Sequence, residues 1–166
     1  VTPQTAFDQY HQAVYSFAYR LTGRADVAED IAQECFLALV RAPLRYDPSR
    51  GSMKVYLFSI VRNLALKRYR DGRAEQAMDG PEDLPAIDPR ASLEASSAVA
   101  AAVAGLPQLQ QEALILFQYE GATLEEIAQI VGTDVGTVKS RLHRARERLR
   151  RVLAAYGKVG SAHGTV

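Results

Sequence analysis

Tryptophan is absent from the 166 residues, and cysteine occurs once, as Cys35. A lone cysteine excludes an internal disulfide. With only His11, His143 and His163 scattered along the chain, no zinc-ligand spacing can be assembled. No apolar run approaches the roughly eighteen residues needed to cross a bilayer, and no apolar segment follows the N-terminus as in a signal peptide. A soluble, cytoplasmic protein without membrane insertion is expected. No Ser/His/Asp or Cys/His set and no phosphate-binding glycine loop occurs, so no catalytic or cofactor chemistry is expected. Hydrophobic residues make up 48% of the chain and charged residues 23%, ordinary globular values that exclude wholesale disorder.

The net charge of +1 conceals an uneven distribution. Residues 1–71 hold ten Lys/Arg against seven Asp/Glu, residues 72–107 two against six, and residues 108–166 eight against six. Seven basic residues crowd into 139–151 (Lys139, Arg141, Arg144, Arg146, Arg148, Arg150, Arg151) with Glu147 as the one acid. Such a cluster suits either a polyanion partner or a solvated helix face.

No period-two pattern survives anywhere, and the sequence predicts an all-α protein of two small helical domains joined by a flexible acidic linker. Phe7, Tyr10, Val14, Phe17 and Leu21 share one helical face, which Gly23 ends. Asp26 and Glu29 have the spacing of a capping box for a second helix, whose core stripe is Ala28, Ile31, Cys35, Leu39 and Ala42. A third helix from about Ser52 turns Met53, Leu57, Ile60, Val61 and Leu64 inward. Periodicity then fails through Asp79-Gly80-Pro81-Glu82-Asp83-Leu84-Pro85 and Asp88-Pro89. The expected division is a first domain at 1–71, a linker at 72–91, a second domain at 92–156 and a frayed tail at 157–166.

The second domain carries the strongest motif. Thr123 and Glu126 cap a short helix, Gly132 and Asp134 make a tight turn, and a long helix opens at Val135. This is the layout of a helix-turn-helix, whose second helix enters the DNA major groove. Val135, Val138, Leu142, Ala145, Leu149 and Val152 form its buried stripe. Opposite lie Gly136, Ser140, His143, Arg144 and Glu147, with Lys139 beside them. Gly136 and Thr137 are placed to meet a phosphate through backbone amides and a hydroxyl. Lys139, Ser140, His143 and Arg144 are placed to reach base edges or phosphates. On the second helix, Asp30, Gln33, Glu34 and Leu37 share a surface, with Phe36 and Val40 alongside. An acidic rim around apolar residues suits a protein–protein contact.

Taken in order, three segments resemble the extracytoplasmic-function (group 4) sigma factors of bacterial RNA polymerase. Asp26 to Leu37 is similar to regions 2.1–2.2, Tyr56 to Leu66 to regions 2.3–2.4, and Glu120 to Ala128 with Val135 to Arg146 to region 4.2. The resemblance implies promoter recognition and melting, with core RNA polymerase (its clamp helices and flap), promoter DNA and an anti-sigma factor as partners. It implies that Asp30, Gln33, Glu34, Phe36 and Leu37 dock on the clamp helices. It places −10 reading on Tyr56, Asn63, Lys67, Arg68, Tyr69 and Arg70, with a loop after Asn63 that captures an unstacked base. It places −35 reading on Gly136, Thr137, Lys139, Ser140, Arg141, His143 and Arg144. Tyr56 stands where the family usually has tryptophan, and Lys67 where it often has an acid. The competing reading is a stand-alone helix-turn-helix regulator whose first module dimerises or senses a ligand.

Overall fold

The computed structural model describes the backbone of residues 2–75 and 98–163, and the side chains of residues 2–72 and 98–155. Among the described residues there are helices and turns but no strand. Helices α1 (Pro3–Thr22), α2 (Ala25–Arg41) and α3 (Met53–Glu75) pack together as a first module, with a single 3₁₀ turn at Pro43–Arg45. Helices α4 (Ala98–Ala104), α5 (Gln108–Leu114), α6 (Leu124–Val131) and α7 (Val135–His163) form the second, with α7 touching the other three. The expected linker lies mostly outside the described residues, although α3 extends through Gly72 to Glu75. Helix α7 also runs on to His163, beyond the expected end near Ala155, because adding a residue to an existing helix costs far less than starting one.

The stripes read from the sequence form the core, with local exceptions. Val14, Phe17, Leu21, Ala28, Ile31, Cys35, Leu39, Leu57 and Val61 are buried, and the Phe17 and Phe58 rings stack with centroids 4.7 Å apart. Full burial of one such ring contributes about 2–3 kcal/mol. Burial raises the Cys35 thiol to about 12, so it is a protonated core side chain whose Sγ lies 3.6 Å from the Leu57 carbonyl. Phe7 departs from its stripe. It is 44% exposed, stacks on His11 and meets Phe36 edge-on.

Chain ends of the helices differ in how well they were legible. Gly23 caps α1 at φ 70° and Gly132 caps α6 at φ 70°, both in the left-handed region where a Cβ is penalised. The Thr123–Glu126 capping box is formed in both directions. The Asp26–Glu29 box is not, because α2 starts two residues earlier, at Ala25 with Arg24 as its N-cap. Asp26 therefore lies inside the first turn, where its charge favours the helix N-terminus and pairs with Arg24 at 2.9 Å. After α5 the backbone widens into a π turn at Ile115–Tyr119, closed by Glu120 N–H to the Ile115 carbonyl and Ala122 N–H to the Leu116 carbonyl. Gly121 leaves it at φ 67°. The additional residue in this turn swings Tyr119 and Glu120 toward the first module.

The two modules are packed against each other. Helix α3 lies on α6, and α1 meets the π turn. Arg20 covers the Tyr119 ring at 4.3 Å, and its Nε is 3.8 Å from Glu120 Oε1. Lys54 Nζ donates to the Glu120 carbonyl at 2.9 Å, and Gln129 Nε2 donates to the Arg50 carbonyl at 3.3 Å. At the centre, Arg62 Nε and Nη2 each reach a different carboxylate oxygen of Glu112 at 3.0 Å.

Candidate nucleic-acid and protein interfaces

Helix α6 is amphipathic, with Ile127, Ala128, Ile130 and Val131 buried, and small Ala128 stands where α6 turns back toward α7. Thr133 N–H donates to the Ala128 carbonyl at 3.0 Å, which closes the turn between the two helices. Asp134 then caps α7, its Oδ1 accepting from Thr137 N–H at 2.6 Å. That bond, first among several contacts with the same turn, holds the Asp134 carboxyl below the usual range.

Val138, Leu142 and Ala145 fix the rotation of α7 by complete or near-complete burial. Val135 and Leu149 are half-buried, and Val152 is 45% exposed, so the buried stripe is shorter than expected. Gly136, Lys139, Ser140, His143 and Arg144 are all exposed on the far side. At 100° per residue they span one face. Arg146 turns away, its guanidinium 5.3 Å from the Phe117 ring centroid. Glu147 is engaged by Arg150 at 2.8 Å.

Two expected −35 residues do not fit that face. The Thr137 amide is occupied by Asp134, and a carboxylate stands over the helix start where a phosphate was expected. Arg141 is half-buried on the flank of the core stripe, with Nη1 buried and without a hydrogen-bond partner. Two helical positions separate it from Lys139, about 200° of rotation, so it points inward.

The expected −10 residues are divided by the rotation of α3. Tyr56, Asn63, Lys67 and Arg70 follow at spacings of 7, 4 and 3 on one face, with Asn63, Lys67 and Arg70 exposed. Arg68 and Tyr69 lie off that face. Arg68 Nη2 pairs with Glu34 Oε1 at 3.0 Å, tying an expected DNA residue to an expected protein-docking residue. No loop follows Asn63, because α3 continues helical to Glu75. The loop on this module precedes α3 instead. Ser49 holds Asp47 by hydroxyl and amide, at 2.7 and 2.9 Å, and Tyr46 Oη donates to the Gly51 carbonyl. The Tyr46 and Tyr56 rings sit 5.4 Å apart there. With Arg45, Arg50 and Ser52 they line a cleft of about 520 Å³, closed on one side by Gln129 of α6. Tyr46, Arg45 and Arg50 are not among the residues expected from the sequence, although tyrosines and arginines flanking one Pro/Gly turn are a legible signal.

The surface of α2 expected to dock a protein partner carries a groove of about 590 Å³, formed with the start of α1 by Pro3, Gln4, Phe7, Gln33, Phe36, Leu37 and Val40. Leu37 is 46% and Val40 59% exposed. Phe36, expected at the surface, is buried to 8% because the Phe7 ring leans on it, so it forms the groove floor. Asp30, Gln33 and Glu34 are exposed on the same helix. Helix α1 supplies a wall that reading α2 alone could not reveal.

A helical protein with a helix-turn-helix and an exposed basic helix face in one module, and an open apolar groove in the other, has the build of a DNA-binding protein. Residues 6–75 match the family Sigma-70 region 2, and residues 96–149 match Sigma-70, region 4. The chain is 37% identical to the ECF RNA polymerase sigma factor EcfG of Rhodopseudomonas palustris, over 86% of this chain and 80% of that one. It is 32% identical to SigW of Bacillus subtilis, covering 88% and 86%. It is 36% identical to SigE of Mycolicibacterium smegmatis over 89% of this chain, but spans only 60% of that relative's length. Among solved structures it resembles the sigma factor RpoE, in complex with the anti-sigma factor NepR, from Bartonella quintana. That match has a TM-score of 0.72 and 27% identity, and covers 91% of this chain and 96% of that one. It shares the fold of CnrH, solved with the cytosolic domain of CnrY, at a TM-score of 0.71, over 92% and 88% of the two chains. The chain belongs to the extracytoplasmic-function sigma factors.

Proposed function

We propose that this chain directs RNA polymerase to promoters by dividing the work between its modules, and that it has no catalysis of its own. The first module docks on the clamp helices of core polymerase through the Phe7/Phe36/Leu37/Val40 groove and its rim of Asp30, Gln33 and Glu34. The face of Tyr56, Asn63, Lys67 and Arg70, with the neighbouring Tyr46/Tyr56 cleft, reads and opens the −10 element. Unstacked bases need aromatic faces, polar groups for their edges and cations for the backbone, and these residues supply all three. The second module reads the −35 element with Lys139, Ser140, His143 and Arg144. An anti-sigma factor is the proposed negative partner, since the matched RpoE and CnrH structures are complexes with other proteins. The cytoplasm is the proposed site of action, and no described helix is long and apolar enough to cross a membrane.

The observation that carries this reading is the pairing of a solvent-open groove in the first module with an exposed basic face on α7 in the second. Reconstitution with core polymerase tests it. The chain is expected to bind core and yield promoter-specific transcripts. Leu37→Asp, or Glu34→Lys, is expected to weaken core binding at least tenfold while −35 duplex binding holds, since loss of a central anchor costs on the order of 2 kcal/mol. Retained core binding by both variants would remove the groove from the assignment.

A further inference from the structure

Leu44 is 96% exposed, the most open of the large apolar side chains among the described residues. A leucine on a surface is ordinary; this one is held out on a rigid mount. It is the middle residue of the 3₁₀ turn Pro43–Arg45, between the end of α2 and the loop that leads to α3. Pro43 fixes its own φ, Arg45 N–H donates to the Ala42 carbonyl at 3.1 Å, and the Tyr46 hydroxyl is tied to the Gly51 carbonyl at 3.2 Å. The turn therefore presents Leu44 to solvent at a fixed place.

Its surroundings differ in sign from those of the α2 groove. There, Leu37 and Val40 share their helix with the exposed acids Asp30 and Glu34. Beside Leu44 in the chain the exposed charges are Arg41, Arg45 and Arg50, against Asp47 alone. That carboxylate is already held by Ser49 and lies 3.8 Å from Arg50 Nε. Neither Arg41 nor Arg45 meets an acid among the described residues. An apolar side chain between free cations fits a polyanion with an apolar interior, which is what the phosphates and stacked bases of a nucleic acid provide.

The neighbouring cleft narrows the choice further. Arg45 and Tyr46, the two residues after Leu44, line it together with Tyr56. Tyr46 and Tyr56 are half-buried against the core and against each other, so they can receive a base but cannot follow it into a duplex. Taking a base out of its stack leaves a gap, and leucine is among the side chains that enter opened base steps.

We propose that Leu44 is a wedge for promoter DNA, filling the gap in the stack beside a base held in the Tyr46/Tyr56 cleft, with Arg41 and Arg45 on the backbone phosphates. This rests on the −10 reading of the first module and adds to it a residue outside the capturing cleft. The wedge offsets part of the cost of unstacking, so it acts on strand opening and not on retention of a strand already open.

The test uses the intact chain with core polymerase and a promoter recovered from its reconstituted transcription. Opening is followed by permanganate reactivity of thymines around −10, on the duplex and on the same sequence pre-melted there. Leu44→Ala is expected to slow opening of the duplex about tenfold and to leave binding of the pre-melted template and of core unchanged. Leu44→Phe is expected to restore duplex opening, since a ring fills the same gap, whereas Leu44→Ser should behave as Leu44→Ala. Parent-like duplex opening by Leu44→Ala, or an equal loss on both templates, would refute the wedge. Loss of core binding instead would assign Leu44 to a polymerase contact and refute it equally. In each of these cases the parent chain still yields promoter-specific transcripts; their absence from the parent is the separate result that overturns the promoter reading and the wedge with it.

Discussion

At the residue scale, two arginines of equal charge on α7 separate sequence reading from simple attraction. Arg144 is exposed beside Ser140, whereas Arg146 lies against Phe117 about 200° further round. A base contact discriminates by roughly 1–3 kcal/mol per good bidentate pair, while a phosphate contact weakens all sequences alike. Arg144→Ala is expected to lose −35 discrimination. Arg146→Ala should keep the ranking of sites, lowering affinity or stability more evenly through the lost Phe117 contact, which contributes about 0.5–1 kcal/mol. Binding to a panel of single-base −35 variants at two salt concentrations checks both. Relaxed ranking in Arg146→Ala alone would mean that α7 enters the groove by another face.

At the element scale, α6 has only eight residues, too few to be stable by itself, so its ends matter. The Thr123 hydroxyl accepts from Glu126 N–H at 3.1 Å, and the Glu126 carboxylate accepts from Thr123 N–H at 2.9 Å. Thr123→Ala removes one half of this box and is expected to cost the second module about 1 kcal/mol. Gly132→Ala meets no neighbour, yet must hold φ 70° and is expected to cost about 1–2 kcal/mol for that reason alone. Denaturant melts of the intact chain measure both. A Gly132→Ala variant as stable as the parent would show that the turn relaxes into another conformation. The same box was legible in the sequence because its residues are three apart. The π turn was not, because its registration depends on how Tyr119 and Glu120 meet Arg20 across the modules.

At the scale of the whole molecule, packing of the modules is expected to depend on pH through two glutamates. Burial raises the carboxyl of Glu112, against the opposing pull of Arg62 on α3 and Arg141 on α7. It also raises that of Glu120, against Arg20 on α1 and Lys54 on α3. Both carboxyls lie at the contact between the modules, so the packed chain is expected to bind more protons than one whose modules have parted, in the window just above the ordinary glutamate value of about 4.3. Packing therefore strengthens as pH falls into that window, and the gain is lost as pH rises through the raised values. The packed fraction is expected to be larger near about pH 5 than near about pH 8, and the dependence to flatten in Glu112→Gln with Glu120→Gln. A packed fraction that rises with pH would reverse the sign and rule out these two groups as its source.

The sequence alone determined the helices, most of their core stripes, the helix-turn-helix and the exposed basic face, because all of these are set by spacings within one element. Val138, Leu142 and Ala145 bury one side of α7, and that periodicity already turns Lys139, Ser140, His143 and Arg144 outward. Tertiary structure decided whatever depends on a second element. Phe36 sinks because Phe7 of α1 covers it, and Arg68 is drawn to Glu34 of α2. The Tyr46/Tyr56 cleft forms because a turn folds back beside α3, and Glu112 is buried where α5 meets α3 and α7. A side chain's rotation about its own helix is local and is written in the spacing of its neighbours. Which partner then waits for it is settled by contacts between residues distant in the chain, such as Arg62 with Glu112, and no local pattern encodes them.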